Sequence, residues 1–126
     1  MKIAVASDDG KTISSHFGRT RGFAIFDIED DKIKGSDYRD NTFTGHAMGM
    51  VQEHHSHNHH SLIIEALSDC TVVISHGMGR MLYDDLKSAG MEVFVTDETD
   101  AGRAVALFIA DKLTDNPGLV DDHRHR

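Results

Sequence analysis

The stretch Thr71-Val72-Val73-Ile74-Ser75 places the tightest limit on how this chain can fold. A short run of β-branched residues with no polar alternation suits a strand covered on both faces, and such strands belong to parallel sheets wrapped by helices. Its flanks agree. Leu62, Ile63, Ala66, Leu67 and Cys70 recur at helical spacing before it, and Met78, Met81, Leu82, Leu86 and Ala89 recur after it, up to a terminating Gly90. Met91-Glu92-Val93-Phe94-Val95 reads as a further strand. A last helix should start near Asp97 to Asp100, which supply capping oxygens, bury Ala101, Ala104, Val105, Phe108 and Ile109, and stop ahead of Asn116-Pro117-Gly118.

The first third of the chain follows a different pattern. Residues 2–7 form an apolar run that ends in the turn-forming Ser7-Asp8-Asp9-Gly10, and Phe23 to Ile28 form a second strand. After the acidic turn Glu29-Asp30-Asp31, residues 32–39 carry Ile33 and Tyr38 among polar neighbours, as expected of a hairpin partner at a charged sheet edge. An antiparallel start joined to alternating units predicts an α/β fold: a mixed five-stranded sheet flanked by three helices, with strand 71–75 central and right-handed crossovers between parallel strands. Residues 1–118 should form a single domain, and 119–126 a flexible, solvated tail.

Charge and length narrow the function. A formal charge of -8 over 126 residues argues against nucleic acid as a partner, because such binding draws on Lys and Arg neutralising phosphates. No apolar run reaches the roughly 20 residues that cross a bilayer, and the apolar start turns polar at Ser7, so the expected location is the cytoplasm and no membrane is a partner. The lone Cys70 fits a small core residue, and it excludes a four-thiolate cluster site within one subunit.

Metal chemistry here must therefore rest on histidine. His46, His54, His55, His57, His59 and His60 lie in one short stretch and make up six of the ten histidines. Imidazole keeps a lone pair for zinc, copper, nickel or iron over most of the physiological range. His55 and His59 are four apart, while His54–His57 and His57–His60 are three apart, so one helical turn would align pairs on a common face. Binding through these groups should weaken as pH falls through about 6.5, where protons compete for imidazole.

Two further motifs follow strands whose carboxyl ends should face one crevice, the usual place for ligands in open sheets with parallel strands. They are Ser14-Ser15-His16-Phe17-Gly18-Arg19 and Ser75-His76-Gly77-Met78-Gly79-Arg80. If the first and fourth strands are parallel neighbours, His16 and His76 share that crevice. Gly77 and Gly79 at a helix start would leave backbone N–H groups open to an anion, reinforced by Arg19 and Arg80, although glycines at such turns also serve close packing. Asp8 and Asp9 read as turn residues rather than acid–base catalysts.

These residues carry a family likeness. Met1 to Ser7, His16-Phe17-Gly18-Arg19 with Phe23 to Asp27, the histidine-rich loop, Leu67 to Ile74, Gly77-Met78-Gly79 and Leu86 to Val93 follow one another as in the dinitrogenase iron-molybdenum cofactor biosynthesis family. That family includes NifX-like carriers and the carboxyl domain of NifB. The resemblance spans about residues 1–112 and implies a ribonuclease-H-like fold with strand order 3-2-1-4-5. It also implies noncatalytic binding or transfer of iron-sulfur or iron-molybdenum-type clusters, with His16 as a ligand.

The expected function is thus a binding or carrier protein, not an enzyme, for a transition-metal ion (zinc, nickel, copper or iron) or such a cluster. The metal ligands would be His16, His46, His54, His55, His57, His59, His60 and His76, with Arg19, Gly77 and Gly79 supporting a cofactor. Cluster-assembly proteins are the expected partners, and a homo-oligomer is compatible because a tract in one subunit could complete a site in another. The competing reading is an acidic protein-interaction module whose histidines sense metal or pH. A third is an enzyme binding a phosphate-bearing molecule at Gly77 to Arg80.

Overall fold

The computed structural model describes residues 1–15, 17, 20–41, 62–116 and 120–121. Strand β1 (Lys2–Ser7) runs antiparallel to β2 (Gly22–Glu29), which pairs antiparallel with β3 (Lys32–Asp40). Asp30 and Asp31 both adopt positive φ, 56° and 61°, so they form the kind of two-residue turn whose twist matches the strands it joins. Residues 62–66 are helical (α1) and lead to β4 (Val72–Ser75), which lies parallel to β1. Next come a two-residue strand β5 (Met78–Gly79), helix α2 (Arg80–Ser88), strand β6 (Glu92–Val95) parallel to β4, helix α3 (Ala101–Ile109) and a two-residue strand β7 (Val120–Asp121).

The five long strands form one mixed sheet in the order β3-β2-β1-β4-β6. This is the ribonuclease-H-like arrangement that the family resemblance implies. One detail differs: β1, not β4, occupies the middle. Both are wholly buried apart from Lys2, which is why each reads as an almost unbroken apolar run.

The core has two sides. Ala4, Ala6, Phe23, Ile25, Val73, Val93 and Val95 face Ile63 and Leu67 and the α2 stripe Leu82, Tyr83 and Leu86. Ile3, Val5, Ala24, Phe26, Ile28, Val72 and Ile74 face Ala101, Ala104 and Val105 of α3. Each fully buried Val, Ile or Leu contributes about 1.5–3 kcal/mol of transfer free energy, so the sheet is held mainly by these two faces. Cys70 belongs to the first side, in keeping with its reading as a core residue. Arg39 on the edge strand clamps the end of α1: Nη1 donates to the Ala66 carbonyl at 2.8 Å, and the guanidinium grips Asp69 in a bidentate pair at 3.1 and 3.0 Å.

Two helical expectations need correction. Met78 is buried in an extended segment rather than in a helix, because Met78–Gly79 pairs parallel with Val120–Asp121. Met81 is 70% exposed, off the stripe that Leu82, Tyr83 and Leu86 press onto the sheet. The capping expectation fares better: the Asp100 carboxylate accepts from the Arg103 N–H at 2.7 Å and starts α3 at Ala101. That helix ends at Ile109, the last residue of its apolar pattern and ahead of Asn116 as expected, but Phe108 and Ile109 are only half-buried. Two residues of the segment read as a tail, Val120 and Asp121, form β7.

Candidate functional site

The carboxyl ends of β1, β4 and β6 gather three buried hydroxyls, Ser7, Ser75 and Thr96. Each is committed to shaping the loop that follows it. Ser7 Oγ donates to the Thr12 carbonyl at 2.7 Å and accepts from the Gly10 N–H. Asp9 Oδ1 accepts from the N–H groups of Lys11 and Thr12 at 2.8 and 2.7 Å. Those backbone bonds hold its carboxyl down to about 2, well below the usual carboxylate range. Asp8 Oδ1 accepts from the Arg21 N–H at 2.8 Å. Asp9 is thus a turn builder, as its sequence context implied, while Asp8 ties the loop to the start of β2.

Ser75 Oγ does the same for the turn after β4, donating to the Gly77 carbonyl at 2.8 Å and accepting from the Gly77 N–H at 3.3 Å. Gly77 therefore offers close approach more than a free donor. A Cβ there would lie 2.5 Å from the Ser15 carbonyl oxygen, and the Gly77 carbonyl accepts from the Phe17 N–H at 3.1 Å. The loop after β1 and the turn after β4 are in this way pressed together. Phe17 anchors the contact, 1% exposed and 5.2 Å ring to ring from Phe23.

His76 sits on this turn, and its Nδ1 is buried without a hydrogen-bond partner among the described residues. Such an orphaned imidazole nitrogen is uncommon, because leaving a buried polar atom unpaired costs about 1–3 kcal/mol. Arg80 Nε, at the start of α2, shares that condition. The rest of its guanidinium is turned towards Tyr83, 5.7 Å from the ring centroid, and towards Asp84 at 4.0 Å. Gly79 is the residue before α2, and no side chain caps the helix there.

Of the other residues expected to bind, His16 and Arg19 lie outside the described residues, as do His46, His54, His55, His57, His59 and His60. The structure brings together Ser15, Phe17 and Gly77, which bracket His16 in sequence and adjoin His76. Among the described residues, no three His, Cys, Asp or Glu side chains gather as a metal group. Cys70 gives no help, since burial first and the neighbouring Asp69 second push its thiol up to about 11.

Sequence reasoning missed the cluster around Asp115. Its carboxylate accepts from the Tyr83 hydroxyl and, at 2.8 Å, from the Val95 N–H, while Lys87 Nζ stands 3.8 Å away and 4.7 Å from the centre of the Tyr83 ring. Burial, followed by the bond to Asp115, raises the Tyr83 pKa. An isolated aspartate after a helix carries no signal of such a role. Only its place, just before Asn116-Pro117-Gly118, hints that the chain turns there.

A mixed α/β domain with polar turns joined at the carboxyl ends of adjacent parallel strands defines the class. The chain belongs to the dinitrogenase iron-molybdenum cofactor family, whose sequence profile matches residues 1–111. The protein MJ0580 of Methanocaldococcus jannaschii is 30% identical over 115 residues, which cover 90% of this chain and 89% of that one. The crystal structure of PH0822 shares the fold with a TM-score of 0.67 at 26% identity, covering 92% of this chain and 95% of the other. The apo form of the orange protein of Desulfovibrio gigas matches with a TM-score of 0.69 at 21% identity, over 91% of this chain and 92% of its own, a likeness of fold alone. Among the described residues, no helix is long and apolar enough to cross a membrane.

Proposed function

We propose that this protein is a noncatalytic carrier, acting in the cytoplasm, that binds a transition-metal ion or an iron-sulfur or iron-molybdenum-type cluster through histidine. Membership of the cofactor family supports the cargo class. The observation that carries the reading is the buried Nδ1 of His76, without a partner among the described residues, on a turn fastened to the residues either side of His16. A bound metal would satisfy that nitrogen, and imidazole suits zinc, nickel, copper and iron. His16 is the proposed second ligand. His46, His54, His55, His57, His59 and His60 would deliver or cover the metal, while Arg19 and the open start of α2 at Gly79 favour an anionic cluster. The close approach at Gly77 to Ser15 and Phe17 supports placing both histidines at one site. Cluster-assembly proteins are the proposed partners.

Calorimetric titration of untagged protein with Zn²⁺, Ni²⁺ and Cu²⁺ at neutral pH tests this. Micromolar or tighter binding, weakened about tenfold or more in a His76→Ala variant, is expected, since one imidazole ligand contributes that order of affinity. Failure of all three metals would end the proposal. Binding that survives His76→Ala and His16→Ala but is lost when His54, His55, His57, His59 and His60 are replaced together would move the ion to the tract alone.

A further inference from the structure

The C-terminal segment is fastened to the body at two places. At the first, the Asp115 carboxylate takes the Val95 N–H at 2.8 Å and the Tyr83 hydroxyl, and the Asn116 N–H donates to the Val95 carbonyl at 2.8 Å. Val95 ends an edge strand, so these bonds occupy backbone groups that no other strand of the described residues reaches. At the second, Val120–Asp121 pairs parallel with Met78–Gly79.

The two attachments are unequal. Asp115 makes charge-assisted bonds to a phenol that is 6% exposed and to a strand amide, with an ammonium nearby. A ladder of two residues is marginal by itself. It persists when its strand is tethered close by, because a short connection lowers the entropy lost on pairing. Met78 and Gly79, in turn, are the residues between His76-Gly77 and Arg80, the turn whose Nδ1 and Nε have no partner among the described residues.

We propose that Asp115 is a positioning residue, a clasp that keeps the C-terminal strand seated on Met78–Gly79 and thereby fixes the His76 to Arg80 turn in the form that receives its ligand. Asp115 touches no ligand and acts through Val95 and Tyr83. The consequence for metal binding rests on the function proposed above; the mechanical coupling does not.

Hydrogen exchange followed by mass spectrometry on the full chain, without metal, tests the coupling. Asp115→Ala should speed exchange in a peptide spanning 76–82 by about tenfold or more, as loss of a charge-assisted bond implies, while β1 amides keep their protection. A full-length Val120→Pro/Asp121→Pro variant, which removes the donors of β7, should give a similar increase. Combining the two should add nothing further if they act on one element. Unchanged exchange at 76–82, an equal rise in β1, or effects that multiply would each overturn the proposal.

Should Asp115→Ala fail to fold, Tyr83→Phe decides: the ring stays, one bond to Asp115 goes, and a smaller rise confined to 76–82 and α2 is expected, with no rise overturning the clasp. In a parallel arm, Ni²⁺ should leave Asp115→Ala faster than the unaltered protein. If the unaltered protein binds no Ni²⁺, Zn²⁺ or Cu²⁺, the carrier reading fails, and the exchange experiment still decides the clasp.

Discussion

The backbone amide of Phe17 donates to the carbonyl of Gly77 at 3.1 Å, and this bond joins the loop after β1 to the turn after β4. Because the Ser15 carbonyl oxygen stands 2.5 Å from where a Cβ on Gly77 would be, the two backbones touch. Gly77→Ala should therefore cost about 1–3 kcal/mol as the loops are forced apart. Gly79→Ala meets none of the described residues within 4 Å at an extended φ of -71° and should change stability by less than about 0.5 kcal/mol. Urea unfolding of both variants checks the contrast, and equal losses would show that the close approach is not what selects glycine at position 77.

Phe17 should behave as core although it belongs to a loop. With 1% of its surface exposed and the Phe23 ring beside it, Phe17→Ala should lose about 3–5 kcal/mol, the range for truncating a buried aromatic. Thermal unfolding measures this, and a loss below about 1 kcal/mol would mean that the loop is not anchored by its ring.

Acid should loosen the loop after β1 in a defined window. Asp9 is held down to about 2 by the N–H groups of Thr12 and Lys11, whereas an unfolded aspartate titrates near 3.9. Its contribution is fully present above the unfolded value and disappears as pH falls from about 4 through about 2. Carboxyl NMR titration should find Asp9 at the low end of the aspartates. Asp9→Asn should flatten the pH dependence of unfolding in that window, and an Asp9 titrating near 4 would contradict the turn geometry.

Cys70 should resist thiol reagents in the native state. It is 3% exposed, and its thiol is pushed up to about 11, so at neutral pH little thiolate forms and less is reachable. Labelling with a disulfide reagent at pH 7.5 should track global unfolding in urea. Rapid labelling of the folded protein would refute the burial.

Much of this fold is legible in the residues because the strong signals are local. Val72, Val73 and Ile74 announce a strand buried on both faces, and Asp100 announces the helix that it caps. Ile33 and Tyr38 among charges announce the edge, where they remain 43% and 38% exposed. What escapes is non-local. Met78 and Met81 fit one helical stripe in the sequence, yet pairing with Val120–Asp121 draws Met78 into extended backbone and leaves Met81 outside it. No periodicity reports a partner that far along the chain.

The candidate site divides in the same way. Histidine beside glycine after a buried strand can be read directly, and it identifies the turn. The closeness of Gly77 to Ser15 and Phe17 depends on β1 and β4 being parallel neighbours, which the strand pattern leaves open and the family resemblance implies. The grip of Asp115 on Tyr83 and Val95 depends on where α2 and β6 finish, and a single aspartate does not encode that.

Among the described residues the edge strand β3 has one neighbouring strand, and it is exposed over almost its whole length of nine residues. A register shift opposite Asp27/Ile28 bends it, Asp37 Oδ1 accepts the Tyr38 N–H, and Arg39 is turned back to Asp69. Another copy arriving sideways would meet a bulged margin with the Tyr38 N–H already taken, so crowding should not readily zip these molecules into ribbons.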